Sequence, residues 1–587
     1  MARDAYRLIG SLWLALAACG GCGGADDGDG EPAQAGSGAG SGATAGSAAP
    51  AAQHVEYLSP TAHLTRASLA LRARRPSLDE LEAVERDPRY VEAIVDHYLT
   101  TREFGASVRE LHAQALLVDV DRVLYPAGFP ALPPLAGREL QALNDSVAQA
   151  PLRLIEQVVM DDRPYTEIAT ADYTLADDVV AGVWGMDYDP GGALWQKTRY
   201  RDERPHAGIL SDSFLFTRHS TTFSNKSRGR ANMITNALLC FDFLAAEIPV
   251  DAGIDLADPA AVADAVRNNA ACAACHASLD PLAAHFAAFY PIYVPSDLEK
   301  YPFGSYKPAF TEAFSVAEPG YFGQPSSDLA SLGRALGEDA RFTQCAARRF
   351  YSFYAQVPLQ DVPSALSAEL ERALVENDMS ARALAKAVVL SDGFRASHSD
   401  DEATAESLPG VRKLRPSQLA GSIEALTGYR WRTRLPIAIG EGPGQVGEVD
   451  LMDDAFFGFK VLAGGTDGNS VTRPSYTASA TVALALEGLA ARAARYAVAN
   501  DFAIEARDQR RLLTRVEPDT RDEASLRAQL AELELRMFGE RVPPDHPAID
   551  AALQLYQGAR ALPGSDGRRA WTLTLYALLQ DVRMLYD

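Results

Sequence analysis

Cys272-Ala273-Ala274-Cys275-His276 is the stretch around which the rest of the chain is read. Residues three apart on a helix share a face, so both thiols can reach the two vinyl groups along one edge of a porphyrin. His276, one residue further, can then turn under the ring and give its imidazole to iron. Two other chemistries use a CxxC pair. A structural zinc site needs two more thiol or imidazole ligands, usually as a second close pair, and the chain has no second CxxC and no HxxxH. A thioredoxin-like pair wants a βαβ setting, whereas the surroundings here are Ala-rich and read as helical. The motif therefore predicts one covalent haem c on Cys272 and Cys275, with His276 as the proximal iron ligand.

Outward from the motif the punctuation is clear. Asp258-Pro259 reads as an N-cap followed by Pro at the first helical position, with Ala261, Val262, Ala265 and Val266 as the apolar stripe. Asn268-Asn269 is expected to break that helix, the motif to form a turn, and Asp280-Pro281 to start another helix over Leu282 to Tyr290. Tyr290 to Phe322, rich in Pro, Tyr and Gly, reads as irregular; helices resume at Asp328-Leu329 and run to Phe394.

Toward the start, Arg3 and Arg7 precede an apolar run from Leu8 to Ala18 that is too short to span a bilayer. It ends Leu16-Ala17-Ala18-Cys19, which resembles a bacterial lipobox and makes Cys19 the expected lipid-bearing residue; an ordinary cleaved signal is the alternative. Gly20, in place of Asp, favours the outer over the inner membrane. Residues 19–54 hold Gly, Ala, Ser and Asp with almost no large apolar side chain, the composition of a flexible tether. Cys22 lies in it and is assigned no chemistry. From His54 onward the signals are helical, beginning with a capping box at Ser77-Leu78-Asp79-Glu80 ahead of Leu81, Val84, Val91, Ile94, Val95 and Leu99.

Carboxylates outnumber Lys plus Arg by 78 to 55, for a formal net charge of −23. That balance argues against nucleic acid and anionic headgroups as partners. More than 500 residues after the tether are too many for one core. The reading is mainly α and multi-domain, with a cytochrome c-like mono-haem module: a signal peptide (1–18), the tether (19–54), an N-terminal helical domain (55–205), the haem module (206–325), its helical extension (326–400), a linker (401–414) and a C-terminal helical domain (415–587). The last is expected to start its first helix at Arg415-Pro416 and to hold long helices near Ala478–Val498, Glu523–Met537 and Ala570–Leu585.

Other motifs carry less. Gly442-Pro443-Gly444-Gln445-Val446-Gly447 fits GxGxxG but holds a Pro and lacks the strand–helix context of a dinucleotide site. Asp467, Asn469 and the cluster Asp450, Asp453, Asp454 lack EF-hand spacing and read as turn chemistry. There is no HExxH and no GxSxG.

Several segments together resemble the multi-domain haem proteins of planctomycetes and myxobacteria, assembled around a single CxxCH module. The motif followed by Asp280-Pro281-Leu282 is similar to that family's haem segment, although Ala283 stands where Gly is usual. Ala207-Gly208-Ile209-Leu210, Ser227-Arg228-Gly229 and Leu238-Leu239-Cys240 resemble the block preceding it. Thr170-Ala171-Asp172-Tyr173-Thr174 and Leu462-Ala463-Gly464-Gly465-Thr466-Asp467-Gly468 are similar to flanking domains. The resemblance implies a mono-haem exported protein, often tied to polymer breakdown, with no settled reaction.

With Cys19 and the haem pair assigned, Cys240 and Cys345 remain inside folded regions where the resemblance places helices, and an oxidising compartment favours a disulfide between them; two separately buried thiols are the alternative. For the sixth iron ligand the search points upstream, since Phe286 to Asp378 contains neither His nor Met and His285 sits on the proximal side. The upstream residues are His206, His219 and Met233; His219 is the first candidate and Met233 the second, beside the plain readings of a surface histidine and a core methionine, with a distant ligand or an open site as the alternative. The leading functional expectation is electron transfer at the cell envelope, with a redox protein or a small-molecule electron donor or acceptor as partner and a lipid anchor to the membrane. An envelope enzyme with an open iron, or a surface-binding lipoprotein with a structural haem, compete with it.

Overall fold

The computed structural model describes residues 55–118, 140–245, 254–255, 257–289, 301–302, 304–401, 408, 410–437, 445–455 and 457–587. The signal peptide, Cys19, the tether and Cys22 lie outside the described residues, as do the Tyr125–Gly137 loop and Gly442–Gly444. Helix makes up 57% of the structure, in 22 helices among the described residues, so the mainly α reading stands. Strands occur there only as four antiparallel pairs: Val55–Tyr57 with Ala396–Ser399, Thr174–Ala176 with Gln196–Thr198, Gly320–Tyr321 with Gln324–Pro325, and Arg432–Ile437 with Gln445–Asp450. No helix among the described residues is long and apolar enough to cross a membrane.

Gln53 to Asp587 forms one compact unit with two hydrophobic clusters. The first holds residues from Leu64 to Phe394, drawing on 55–205, 206–325 and 326–400 alike, together with Leu535 from the C-terminal region. The second runs from Leu414 to Leu585. Helix Pro60–Arg72 joins them, because it is buried all round: Leu64, Ala67 and Leu71 face the first cluster while Leu69 belongs to the second. Most of its buried polar groups are matched accordingly. His63 Nε2 donates to Val389 O at 2.8 Å, and Arg66 Nη1 donates to Phe394 O and Ala396 O at 3.2 and 3.1 Å. Helix Pro416–Thr427 crosses the end of this helix so closely that a Cβ on Gly421 would sit 2.0 Å from Ala73 O.

Local chemistry sets the ends of the helices. Ser77 and Glu80 form a reciprocal capping box before Leu78–Arg86. Asp258 caps Pro259–Asn268, and Asp328 caps Leu329–Glu338. The long C-terminal helices are Ala480–Asp501, Glu523–Phe538 and Gly567–Leu578, with a further one at Pro547–Ala561 that the hydrophobic pattern did not reveal.

The motif segment departs from expectation. Cys272 to His276 is not a turn, and Asp280-Pro281 starts no helix; one helix runs from Ala270 to Ala284 with Pro281 inside it. Asn269 accepts from Ala271 N and Cys272 N, so it caps a new helix directly ahead of the motif. Pro281 removes one backbone donor from the last turn, and the Asp280 carboxylate is drawn to side chains instead of capping the backbone.

Candidate haem-attachment site

Two helices and a short hairpin hold the motif. The C-terminal half of Ala270–Ala284 (Leu279, Asp280, Leu282, Ala283, Ala284) is buried, against helix Arg228–Leu239 and the Gly320–Tyr321 strand. The N-terminal half is not: Cys272, Cys275 and His276 are all half-buried. Helix Pro259–Asn268 packs beside it and buries only Ala265, which leaves Ala261, Val262 and Val266 partly in solvent.

Asp280 organises the polar side of the site. His276 Nδ1 donates to Asp280 Oδ1 at 2.9 Å, one helical turn away. Arg228 grips the same carboxylate with two bonds, Nε to Oδ1 at 2.6 Å and Nη2 to Oδ2 at 2.9 Å. Burial pushes the Asp280 carboxyl up, but the hydrogen bonds from Arg228 and His276 outweigh it and hold the group at about 2. The carboxylate thus stays ionised, fixes the imidazole at Nδ1, and leaves Nε2 without a hydrogen-bond partner among the described residues. Metal-bound histidines are oriented this way, the ring nitrogen away from the metal donating to a carboxylate.

Cys272 and Cys275 are free thiols. Burial and the Asp280 charge push the Cys275 thiol up, the opposite of the depressed thiol of a CxxC oxidoreductase. No group of three or more His, Cys, Asp or Glu side chains among the described residues could hold a bare metal ion. A haem iron makes a smaller demand, since the porphyrin supplies four donors and the protein only the axial ones. Two unbridged thiols one helical turn apart and an imidazole with one anchored and one unpartnered nitrogen fit such a group.

The other candidate residues lie elsewhere. His219 closes helix Ser213–Arg218, and its Nε2 donates to Leu116 O at 2.7 Å. Burial pushes its pKa down to about 4, so it is a neutral ring tied to the end of helix Arg102–Leu116. Met233 is half-buried against the first cluster. Neither is joined to His276 by a hydrogen bond or ring contact among the described residues. His206 accepts from Tyr200 N at 3.1 Å, and His285 pairs with Ser326 Oγ at 2.8 Å. Cys240 and Cys345 are disulfide-bonded, with Cα atoms 5.3 Å apart, and link helix Arg228–Leu239 to helix Ala340–Ala355. Asp467 accepts from the backbone N–H groups of Asn469, Ser470 and Val471, which is turn chemistry. Gln445 to Gly447 lie on a strand paired with Leu435 to Ile437.

The Arg228–Asp280–His276 chain went unread in the sequence, although His276 and Asp280 stand at i and i+4, a spacing that brings side chains together on a helix.

What fold and site define together is a mainly helical protein with a CxxCH helix anchored through a carboxylate. Compared with known proteins, the chain matches no family, no curated protein and no solved structure.

Proposed function

We propose that the chain is an exported mono-haem c-type cytochrome acting in electron transfer at the cell envelope. Cys272 and Cys275 would carry the haem covalently and His276 would be its proximal ligand. The observation that carries this reading is the His276 ring, anchored at Nδ1 by Asp280 and without an Nε2 partner among the described residues, on the same half-exposed helix face as two free thiols. When bound, the haem supplies a one-electron couple. Asp280 makes the imidazole a stronger donor by taking its Nδ1 proton into a hydrogen bond, and Arg228 offsets the carboxylate charge. Ala261, Val262 and Val266 offer apolar surface beside the motif. The Cys240–Cys345 disulfide supports export, since such bonds persist in oxidising compartments, and the Leu16-Ala17-Ala18-Cys19 junction supports a lipid anchor. The partner would be a redox protein or a small-molecule electron donor or acceptor.

The test is a pyridine haemochrome spectrum of protein co-expressed with haem-maturation machinery. The haem should resist acid–acetone extraction and be lost in Cys272→Ala/Cys275→Ala; a b-type or haem-free product overturns the reading. A reversible couple indifferent to CO supports electron transfer, whereas rapid CO binding favours an open, catalytic iron.

A further inference from the structure

A cleft of about 920 Å³ opens between helices Arg102–Leu116, Leu140–Met160 and Pro416–Thr427, closed on one side by the Arg432–Ile437/Gln445–Asp450 hairpin. In a chain of formal net charge −23 its wall has the opposite balance, ten Lys and Arg against six Asp and Glu among the described residues. Several of the carboxylates are shared. Glu103 serves both Arg74 at 3.6 Å and Arg102 at 3.5 Å, and Glu156 serves both Arg109 at 2.5 Å and Arg153 at 3.0 Å. Arg511 has no ion pair among the described residues. Arg72 and Arg432 pair with Glu80 and Glu448 outside the wall, and among the described residues the cations still outnumber the carboxylates.

Arg415 marks the floor. Its side chain is 5% exposed. Nη1 donates to Phe353 O at 2.8 Å, and Nε stands 3.4 Å from Glu110, whose other oxygen accepts from Ser417. Nη2 is buried and has no hydrogen-bond partner among the described residues, while the guanidinium stacks over the Phe353 ring at 3.8 Å. A buried guanidinium nitrogen without an acceptor is costly, and it is the group that an incoming oxyanion would satisfy. Burial and the neighbouring Arg109 charge push the Arg153 guanidinium below its ordinary value, a sign of crowded positive charge. No aromatic ring among the described residues lines the cleft, so they offer no platform for stacking a base or a sugar. Recognition here rests on charge and on the planar fork of arginine, which matches carboxylate and phosphate oxygens.

We propose that this cleft binds a small polyanion bearing two or more carboxylate or phosphate groups, with Arg415 at its floor and Arg74, Arg102 and Arg511 at its rim. The site is built from residues distant in sequence from the CxxCH helix and does not depend on the haem reading.

Isothermal titration of the full-length protein with citrate, pyrophosphate and acetate at constant ionic strength tests it. Citrate or pyrophosphate should bind with a dissociation constant of about 1 mM or tighter, and acetate at least tenfold more weakly. The stronger of the two identifies the carboxylate or the phosphate source. Arg415→Gln should weaken binding at least tenfold. Because Arg415 also holds Phe353 O, the rim double variant Arg74→Gln/Arg511→Gln is measured beside it and should lose several-fold in affinity with an unchanged melting temperature. Absence of heat from both polyanions, equal binding of acetate, or undiminished affinity in a normally folded rim variant would each overturn the proposal.

Discussion

His276 and Asp280 face each other across one turn of the motif helix, Nδ1 to Oδ1 at 2.9 Å, and Arg228 reaches in from a second helix to hold the same carboxylate. The contact ties the CxxCH helix to helix Arg228–Leu239 through charge as well as packing. It also decides which ring nitrogen of His276 is available, so the site depends on a residue outside the CxxCH pattern.

Asp280→Asn should therefore act on stability and on the haem together. It leaves Arg228, whose side chain is 22% exposed, without its counter-ion, a loss of about 1–3 kcal/mol. Urea unfolding measures the first effect. In haem-loaded protein the reduction potential should rise, because the proximal imidazole becomes a weaker donor. An unchanged potential in a folded, haem-loaded variant would show that Asp280 does not act on the ligand.

The disulfide makes a second, independent tie on the same helix. Cys240 and Cys345 are 105 residues apart in sequence, and closing a loop of that length is worth about 4–5 kcal/mol in the chain-entropy model. Cys240→Ala/Cys345→Ala should lose about 2–5 kcal/mol in urea unfolding, and dithiothreitol should destabilise the parent but not the double variant. If reduction leaves the parent's midpoint unmoved, the bridge contributes nothing.

Those two ties show where the sequence could be read and where it could not. Helix starts were legible at Ser77, Asp258 and Asp328, where a side chain caps its own backbone, because that chemistry spans three or four residues. The motif helix was misplaced because Asp280-Pro281 looks like a start signal. Its carboxylate is instead claimed by Arg228, 52 positions earlier, and no local window contains that competitor. The hairpin Arg432–Ile437/Gln445–Asp450 was hidden by the Gly and Pro between its strands. His219 looked like a polar-loop histidine, and only the tertiary fold supplies Leu116 O as its partner. Pairings such as Glu110 with Arg415 likewise form only once the two core clusters meet.

The meeting of those clusters gives a third prediction. A Cβ at Gly421 would lie 2.0 Å from the backbone oxygen of Ala73, and neither backbone can yield as a side-chain tip would. Gly421→Ala should push helix Pro416–Thr427 away from helix Pro60–Arg72 and cost about 1–3 kcal/mol, although alanine is the better helix former by about 1 kcal/mol. A variant as stable as the parent would mean that the two helices can separate freely.

A fourth prediction concerns acid. His112 is 3% exposed; its Nδ1 donates to Val108 O and its Nε2 accepts from the Tyr165 hydroxyl, both at 2.7 Å. Burial pushes its pKa from 6.5 down to about 4, with Arg349 acting in the same direction and the Val108 bond opposing them. Between those values the unfolded chain holds the extra proton and the folded protein does not, so stability rises with pH. Its share is complete above about pH 6.5 and is lost as pH falls toward about 4, amounting to up to about 3 kcal/mol over the window. Burial also holds His63, His206, His219 and His285 below their ordinary value, so the parent's slope contains several protons. His112→Gln should be less stable at neutral pH, because Tyr165 loses the ring acceptor, yet its stability should fall less steeply on acidification, by up to one proton. Urea titrations at a series of pH values between about 7 and 4 give both slopes. If the slopes coincide, His112 is protonated in the folded protein and its site is wetter than the structure indicates.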